Sequence, residues 1–199
     1  MKRRKMSLKK FNAVCSWILT AVLLAHVTVS VVFMLTGLYD LQLMIILSRT
    51  IAVVCTAHIL VSLAVVFILR DRADKSRYKG QKRKKYKSLN LRTLVQRASG
   101  LCILILLYPH IKLFTSFIYE FKPLAVGNKI IVFIVESLFF IMVFLHLAVS
   151  FSRSFISMGM IRTDAAEKRL DRTAFAVCAA GLAVVLVSLV VFLVKWPAA

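Results

Sequence analysis

Long uncharged apolar runs alternate with short charged segments along the whole chain. Runs of roughly 18 or more apolar residues are typical of membrane-spanning helices. Turn-forming residues separate neighbouring runs: Gly37, Tyr39 and Asp40 follow the first, and Pro123 and Gly127 follow the third. The pattern predicts an all-α integral membrane protein that forms a single domain over residues 1–199. Its five transmembrane helices are predicted over about 11–35, 41–69, 91–117, 129–156 and 173–194.

Composition supports this class and excludes a large soluble domain. Hydrophobic residues make up 60% of the 199 positions, whereas soluble domains average about 45–50% on a count that also includes glycine. The net charge of +20 would also suit nucleic-acid binding, but the basic residues flank the apolar runs instead of lining a soluble face. We therefore expect membrane lipid as a partner and no nucleic acid. The basic N-terminus resembles a secretory signal, but the apolar run after it is too long, so we expect a retained first helix.

The basic residues also predict the orientation of the chain. Residues 1–10, 70–97 and 153–172 hold 6, 12 and 5 of the 28 lysines and arginines. Cytoplasmic segments of membrane proteins carry an excess of these residues. The N-terminus is therefore predicted to be cytoplasmic and the C-terminus outside, in the cell membrane. The basic 70–92 loop serves as a topology signal that also suits anionic lipid, and docking of a cytoplasmic partner subunit is a compatible alternative.

The candidate chemistry centres on four histidines, His26, His58, His110 and His146, one in each of the first four predicted helices. Ionisable residues at membrane depth are costly and are usually functional. At a rise of about 1.5 Å per residue, His26 and His110 lie roughly 20–24 Å above the inner charges, and the other two only roughly 10–18 Å above them. The spacing thus predicts an outer pair, His26 with His110, and an inner pair, His58 with His146.

Two histidines at each of two levels suit haem better than zinc. A haem iron takes two axial imidazoles on opposite faces of a flat ring, whereas a structural zinc takes four ligands at one place. No C-x-x-C-H motif occurs, so the haems would be non-covalent and of the b type. We predict a bundle of helices 1–4 around two b haems, with a peripheral fifth helix. For any one histidine, an interhelical hydrogen bond is the simpler structural explanation.

Four further residues are candidate contacts of the inner haem. Ser99 precedes His110 by 11 residues, close to the same helix face, and Gly100 lies beside it. Their small side chains would let the haem pass, although helix packing alone also explains Gly100. Arg97 and Arg153 lie at the inner ends of their helices and suit haem propionates. Snorkelling at the membrane boundary is the alternative for both arginines.

At this point the chain resembles the dihaem cytochrome b subunit of succinate dehydrogenase and fumarate reductase complexes, the type with one five-helix anchor subunit. Four ligand helices in order and a fifth without a histidine match that layout. The stretch from Gln96 to Gly100, leading to His110, is similar to the family's Q-R-x-S/T-G stretch before the third ligand. Phe144 stands where some fumarate reductases carry an acidic residue. The resemblance implies that the four histidines are axial ligands and that Arg97 belongs to the haem site.

The resemblance also implies a function. We expect electron transfer between a membrane quinone, such as menaquinone, and partner iron–sulfur and flavoprotein subunits on the cytoplasmic face, with the dicarboxylate chemistry on another chain. Glu136 and Glu120 are candidate proton acceptors, but pairing with Lys129, Lys112 or Lys122 is the preferred interpretation. Two alternatives stay open. One is a dihaem cytochrome b that serves another membrane oxidoreductase, and the other is a haem-free small transporter or assembly protein with proton or metal sites.

Overall fold

The computed structural model describes the backbone of residues 8–38, 40–68, 83–120, 126–161 and 163–195. Most of the basic 70–92 loop and the turn around Pro123 lie outside these ranges. Each helix within them includes a stretch long and apolar enough to cross a membrane. The prediction of an all-α membrane protein with five transmembrane helices is confirmed. The helices are α1 (Leu8–Thr36), α2 (Leu41–Ile68), α3 (Arg83–Glu120), α4 (Val126–Met158) and α5 (Asp164–Lys195).

Short-range rules explain where several helices begin and end. Asp40 caps α2, because its carboxylate accepts a hydrogen bond from the backbone N–H three residues on, at 3.0 Å. Gly37 ends α1 with a left-handed φ of 78° and donates its N–H to the carbonyl of Phe33. Gly159, with a φ of 80°, ends α4 and donates its N–H to the carbonyl of Ile156. Residues with a Cβ rarely adopt this conformation, so glycine suits both helix ends.

Two helices extend beyond the predicted spans into charged sequence. α3 begins at Arg83 instead of near residue 91, and α5 begins at Asp164 instead of near residue 173. Hydropathy marks only the apolar part of a helix, whereas Lys, Arg and Glu are themselves good helix formers. In α5, Asp164 and Glu167 also place negative charge in the first turn, where the helix dipole stabilises it. Much of the charged segment before the fifth span is therefore helical.

The five helices form a bundle with α1 and α4 at its centre. α1 packs against α2, α4 and α5, and α4 packs in addition against α3 and α5. Within the described part of the chain, α1 does not pack directly against α3, nor α2 against α4, so each of these pairs lies across the bundle. The end of the bundle at which α1 begins is called the basic end.

The buried apolar core lies where α1, α4 and α5 meet. Leu189 and Val185 of α5 are 0% and 1% exposed, while Val187, between them on the same helix, is 62% exposed. Such one-sided burial is expected of a helix that faces a bundle on one side and lipid on the other. The predicted peripheral helix thus contributes much of the apolar packing. The core side chains are Phe33, Met34, Val132, Phe139, Phe140, Val143, Val185, Leu189, Phe192 and Leu193.

Candidate functional site

The structure brings the four histidines together two by two across the bundle. His26 on α1 lies close enough to His110 on α3 for the two rings to interact electrostatically. His146 on α4 interacts in the same way with His58 on α2. These are the same pairs that the depth calculation groups as outer and inner, and each joins helices that do not pack directly on one another. Their role as haem ligands stays a prediction.

His146 lies against a small-residue surface of α3. Its Nδ1 is 3.0 Å from the backbone carbonyl of Gln96 and 3.1 Å from Oγ of Ser99. Gly100 completes the surface, because a Cβ there would stand 3.3 Å from Cε1 of the ring. A carbonyl can only accept a hydrogen bond, so Nδ1 must carry the proton, and Nε2 keeps the lone pair of the neutral imidazole. Ser99, which is 2% exposed, and Gly100 therefore contact His146, while their predicted contact with a haem stays a prediction.

His58 is oriented in a similar way from α1. Its Nδ1 lies 3.4 Å from Oγ of Ser16, a long hydrogen bond. The Ser16 hydroxyl donates its one hydrogen to the backbone carbonyl of Asn12 at 2.9 Å, so toward His58 it can only accept. The inner pair thus presents two rings whose Nδ1 atoms donate to neutral acceptors. One helical turn nearer the basic end, Ser62 donates to the side-chain oxygen of Asn12 and adds a second polar link between α1 and α2.

His110, in the outer pair, is held by a buried carboxylate. Its Nδ1 lies 2.6 Å from Oε2 of Glu136, which is 0% exposed. At this short separation we take Nδ1–H to donate to the carboxylate, as in a charge-assisted hydrogen bond. The ring also stacks on Phe139, with centroids 4.3 Å apart and planes 18° apart, and meets the edge of Phe140 at 6.0 Å. α4 therefore supplies a hydrogen bond to a carboxyl group and two aromatic contacts to the His110 ring.

The sequence favoured Lys129, Lys112 or Lys122 as the partner of Glu136, and of these Lys122 lies outside the described residues. Glu136 has no lysine partner among the residues that the structure describes; it pairs with His110. Lys129 donates instead to the backbone carbonyl of Leu193, near the end of α5. The reason is the packing of α4, which turns the Glu136 face toward α3. The side chain of Glu120, the other acid considered, lies outside the description.

His26 differs from its partner in the outer pair. Its Nδ1 is buried and has no hydrogen-bond partner among the described residues. Its backbone carbonyl accepts a hydrogen bond from the hydroxyl of Ser30 at 2.8 Å, a contact within α1 that does not involve the ring. The outer pair is thus asymmetric: the ring on α3 is strongly held, whereas the ring on α1 has no polar partner at Nδ1 within the described part of the chain.

The two candidate arginines have different surroundings. Arg153 donates to the side-chain oxygen of Gln96 at 2.8 Å and to the hydroxyl of Thr93 at 2.7 Å. Gln96 therefore contacts Arg153 through its side chain and His146 through its carbonyl, so Arg153 lies beside the inner histidine. Arg97 is exposed. The structure thus brings Arg153, but not Arg97, into the hydrogen-bonded group around His146.

Three contact residues had no signal in the sequence as partners of particular histidines: Ser16, Gln96 and Glu136. They lie 42, 50 and 26 positions from their histidines. Periodicity along one helix cannot predict such contacts, because they depend on how two helices are rotated against each other. Gln96 occurs in the family-like stretch, but nothing local indicates that its carbonyl is the group that accepts from His146. Among the described residues, no three or more His, Cys, Asp or Glu side chains converge as a metal-ion site.

The likeness to dihaem cytochrome b subunits rests on the sequence alone: the order of the histidines and the stretch from Gln96 to Gly100. That stretch lies on α3 at the inner pair, where its carbonyl, hydroxyl and glycine contact His146. Comparison of the chain with protein-family models, with curated proteins and with solved structures found no significant match.

Proposed function

We propose that this chain is a membrane cytochrome b that holds two non-covalent haems, one between His58 and His146 and one between His26 and His110. The observation that carries the proposal is the way the rings are held. The Nδ1 atoms of His58, His110 and His146 each meet an acceptor supplied by the chain. Histidines that bind metals almost always donate their second ring N–H in this manner, which directs Nε2 to the metal.

The helix arrangement also fits two flat groups. Each histidine pair joins helices that lie across the bundle from each other, α1 with α3 and α2 with α4. Gly100 lets the backbone of α3 lie close to Cε1 and Nδ1 of His146. Arg153, beside the inner pair, is the candidate partner of a propionate through a charge-assisted bond. A bound haem would supply one-electron chemistry at its iron, while the chain supplies ligation, orientation and an apolar surrounding.

We further infer that the chain is the membrane anchor of a succinate dehydrogenase or fumarate reductase complex. In that role it links a membrane quinone or menaquinone to iron–sulfur and flavoprotein partner subunits. The support is the family-like stretch at Gln96 to Gly100 and the order of the ligand helices. The positive-inside rule directs the basic end to the cytoplasm. Partner subunits would dock at that end, near the helical segment that begins at Arg83 and near the charged start of α5.

The first experiment measures the pyridine haemochrome spectrum and the haem-to-protein ratio of the purified full chain. We expect about two haems per chain, since each needs two of the four axial ligands. His146→Ala and His110→Ala should each reduce the ratio to about one, and the double variant should bind none. Ser188→Ala is the control, because among the described residues this buried hydroxyl on α5 bonds to the carbonyl of Val184 in its own helix. Co-purification of partner subunits then separates this complex from another membrane oxidoreductase.

A second candidate function follows from Glu136. A fully buried acid hydrogen-bonded to His110, with its second oxygen unpartnered among the described residues, also suits a proton or metal site in a small transporter. The same experiment distinguishes the two functions. Protein without haem, purified from cells with ample haem supply, would exclude the cytochrome and leave the transporter.

A further inference from the structure

Glu136 is an acidic residue buried inside the apolar bundle. Among the side chains that the structure describes, it is the one acid that is fully buried. An ionised carboxylate away from water is strongly disfavoured unless it is paired and hydrogen-bonded. Its partner is His110, at 2.6 Å. Because such a pair is costly to place in an apolar bundle, a functional role is a better explanation than stability.

One face of α4 contacts the His110 ring. Glu136, Phe139 and Phe140 are spaced i, i+3 and i+4, so their side chains project from the same side of the helix. The carboxylate contacts the ring at Nδ1, while Phe139 stacks on its face and Phe140 meets it edge-on. Stacking restrains the plane of the imidazole, and the hydrogen bond selects which edge of the ring points to α4. Together they determine the direction in which Nε2 points.

The four candidate ligands differ in what Nδ1 meets. His58 and His146 meet neutral oxygens, His26 meets no described partner, and His110 alone meets a carboxylate. A carboxylate that accepts from Nδ1–H increases electron donation by the ring to a bound metal. Greater donation stabilises the ferric over the ferrous state of a haem iron, and hydrogen bonding around the ligands is one way in which proteins set haem potentials.

We propose that Glu136 is the positioning residue of the outer site. Its carboxylate sets the tautomer and the direction of the His110 ring, and it lowers the reduction potential of the outer haem through that ring. The inference rests on the proposed function, since it requires a haem at His110. It goes further by assigning a role in setting one potential to a residue that is not itself a ligand.

The test is a redox titration of the full chain, followed through the haem absorption bands, for Glu136→Gln and Glu136→Leu. Gln keeps an acceptor for Nδ1–H but removes the charge. We expect two haems and roughly a tenfold shift of one ferric-to-ferrous ratio, which is about 59 mV upward for one electron. Leu removes the acceptor as well, so we expect the same haem to bind about 10–100-fold more weakly. Ser137→Ala, the next residue on α4, is the control and should change neither haem.

The affected haem must be the one that His110→Ala removes, and the other haem must keep its potential. Two haems with unchanged potentials in Glu136→Gln would overturn the inference while leaving the cytochrome intact. Equal shifts of both haems would also overturn it, because a general loosening of the bundle would then explain the effect. A wild-type chain without haem would instead refute the proposed function. If Glu136→Leu does not fold, the nearly isosteric Gln variant decides the question.

Discussion

Enlarging Gly100 should remove the inner haem and spare the outer one. A Cβ at this position would lie 3.3 Å from Cε1 and 3.5 Å from Nδ1 of His146. Carbon atoms in contact are normally about 3.5–4.0 Å apart, so Gly100→Ala requires the ring to move by a few tenths of an ångström. Gly100→Val adds two methyl groups that reach about 1.5 Å beyond Cβ. They would overlap the imidazole, so the ring must leave its place.

The structure also sets the magnitude. When the ring moves away, His146 loses its hydrogen bonds to the carbonyl of Gln96 and the hydroxyl of Ser99. Each such bond contributes about 0.5–1.5 kcal/mol, and overpacking a well-filled site costs about 1–3 kcal/mol. We therefore expect Gly100→Val to retain about one haem per chain and to unfold at a lower temperature. Gly100→Ala should keep both haems, with the inner one less tightly bound.

The assay is the haem-to-protein ratio with the absorption spectrum, measured in detergent after washing. Ala98→Val is a matched control, because Ala98 lies on the same helix two residues earlier and is exposed. It introduces the same β-branched side chain without touching His146. A Gly100→Val protein that retains two haems with the wild-type spectrum would refute the placement of a ligating His146 against Gly100.

Three further predictions concern packing and charge. Leu189 is fully buried, so Leu189→Ala should lower the free energy of unfolding by about 2–5 kcal/mol. Val187 faces outward, so Val187→Ala should change this free energy little. Denaturation in detergent measures both. Gly181→Val should destabilise the contact of α4 with α5 by about 1–3 kcal/mol, since even a Cβ would stand 2.8 Å from the ring of Phe144; an unchanged melting temperature would contradict this. Arg92→Gln removes partly exposed ion pairs with Asp171 and Glu167, so thermal melting should show a loss of about 1 kcal/mol that shrinks in high salt.

The sequence predicted the helices better than their ends. Five apolar runs correspond to the five helices because crossing a membrane requires long uncharged stretches whatever the neighbours are. The starts of α3 at Arg83 and α5 at Asp164 were missed. Hydropathy indicates which part of a helix contacts lipid, but it does not indicate where the helix begins or ends. The turn at Gly37 and Asp40 was visible in the sequence, because a turn between two apolar runs needs residues of this kind.

For the candidate site, too, the sequence predicted some features and missed others. The sequence placed one histidine on each of α1 to α4 and estimated its depth, because the rise of a helix is constant. It did not identify the groups that hold the rings, and it assigned Glu136 to a lysine although the structure pairs it with His110. Depth depends on position along one helix, whereas a contact depends on the rotation of two helices about their axes.

The sequence by itself therefore determined that the chain forms five helices long and apolar enough to cross a membrane, with one histidine inside each of the first four. Only the tertiary structure decided which helix faces meet. Gly100 and the carbonyl of Gln96 lie against His146, and Ser16 lies against His58. Glu136 and Phe139 contact the ring of His110. The physical reason is that hydropathy and helical rise are local properties of the chain. The direction of each imidazole depends instead on side chains that are distant in sequence and that packing alone brings together.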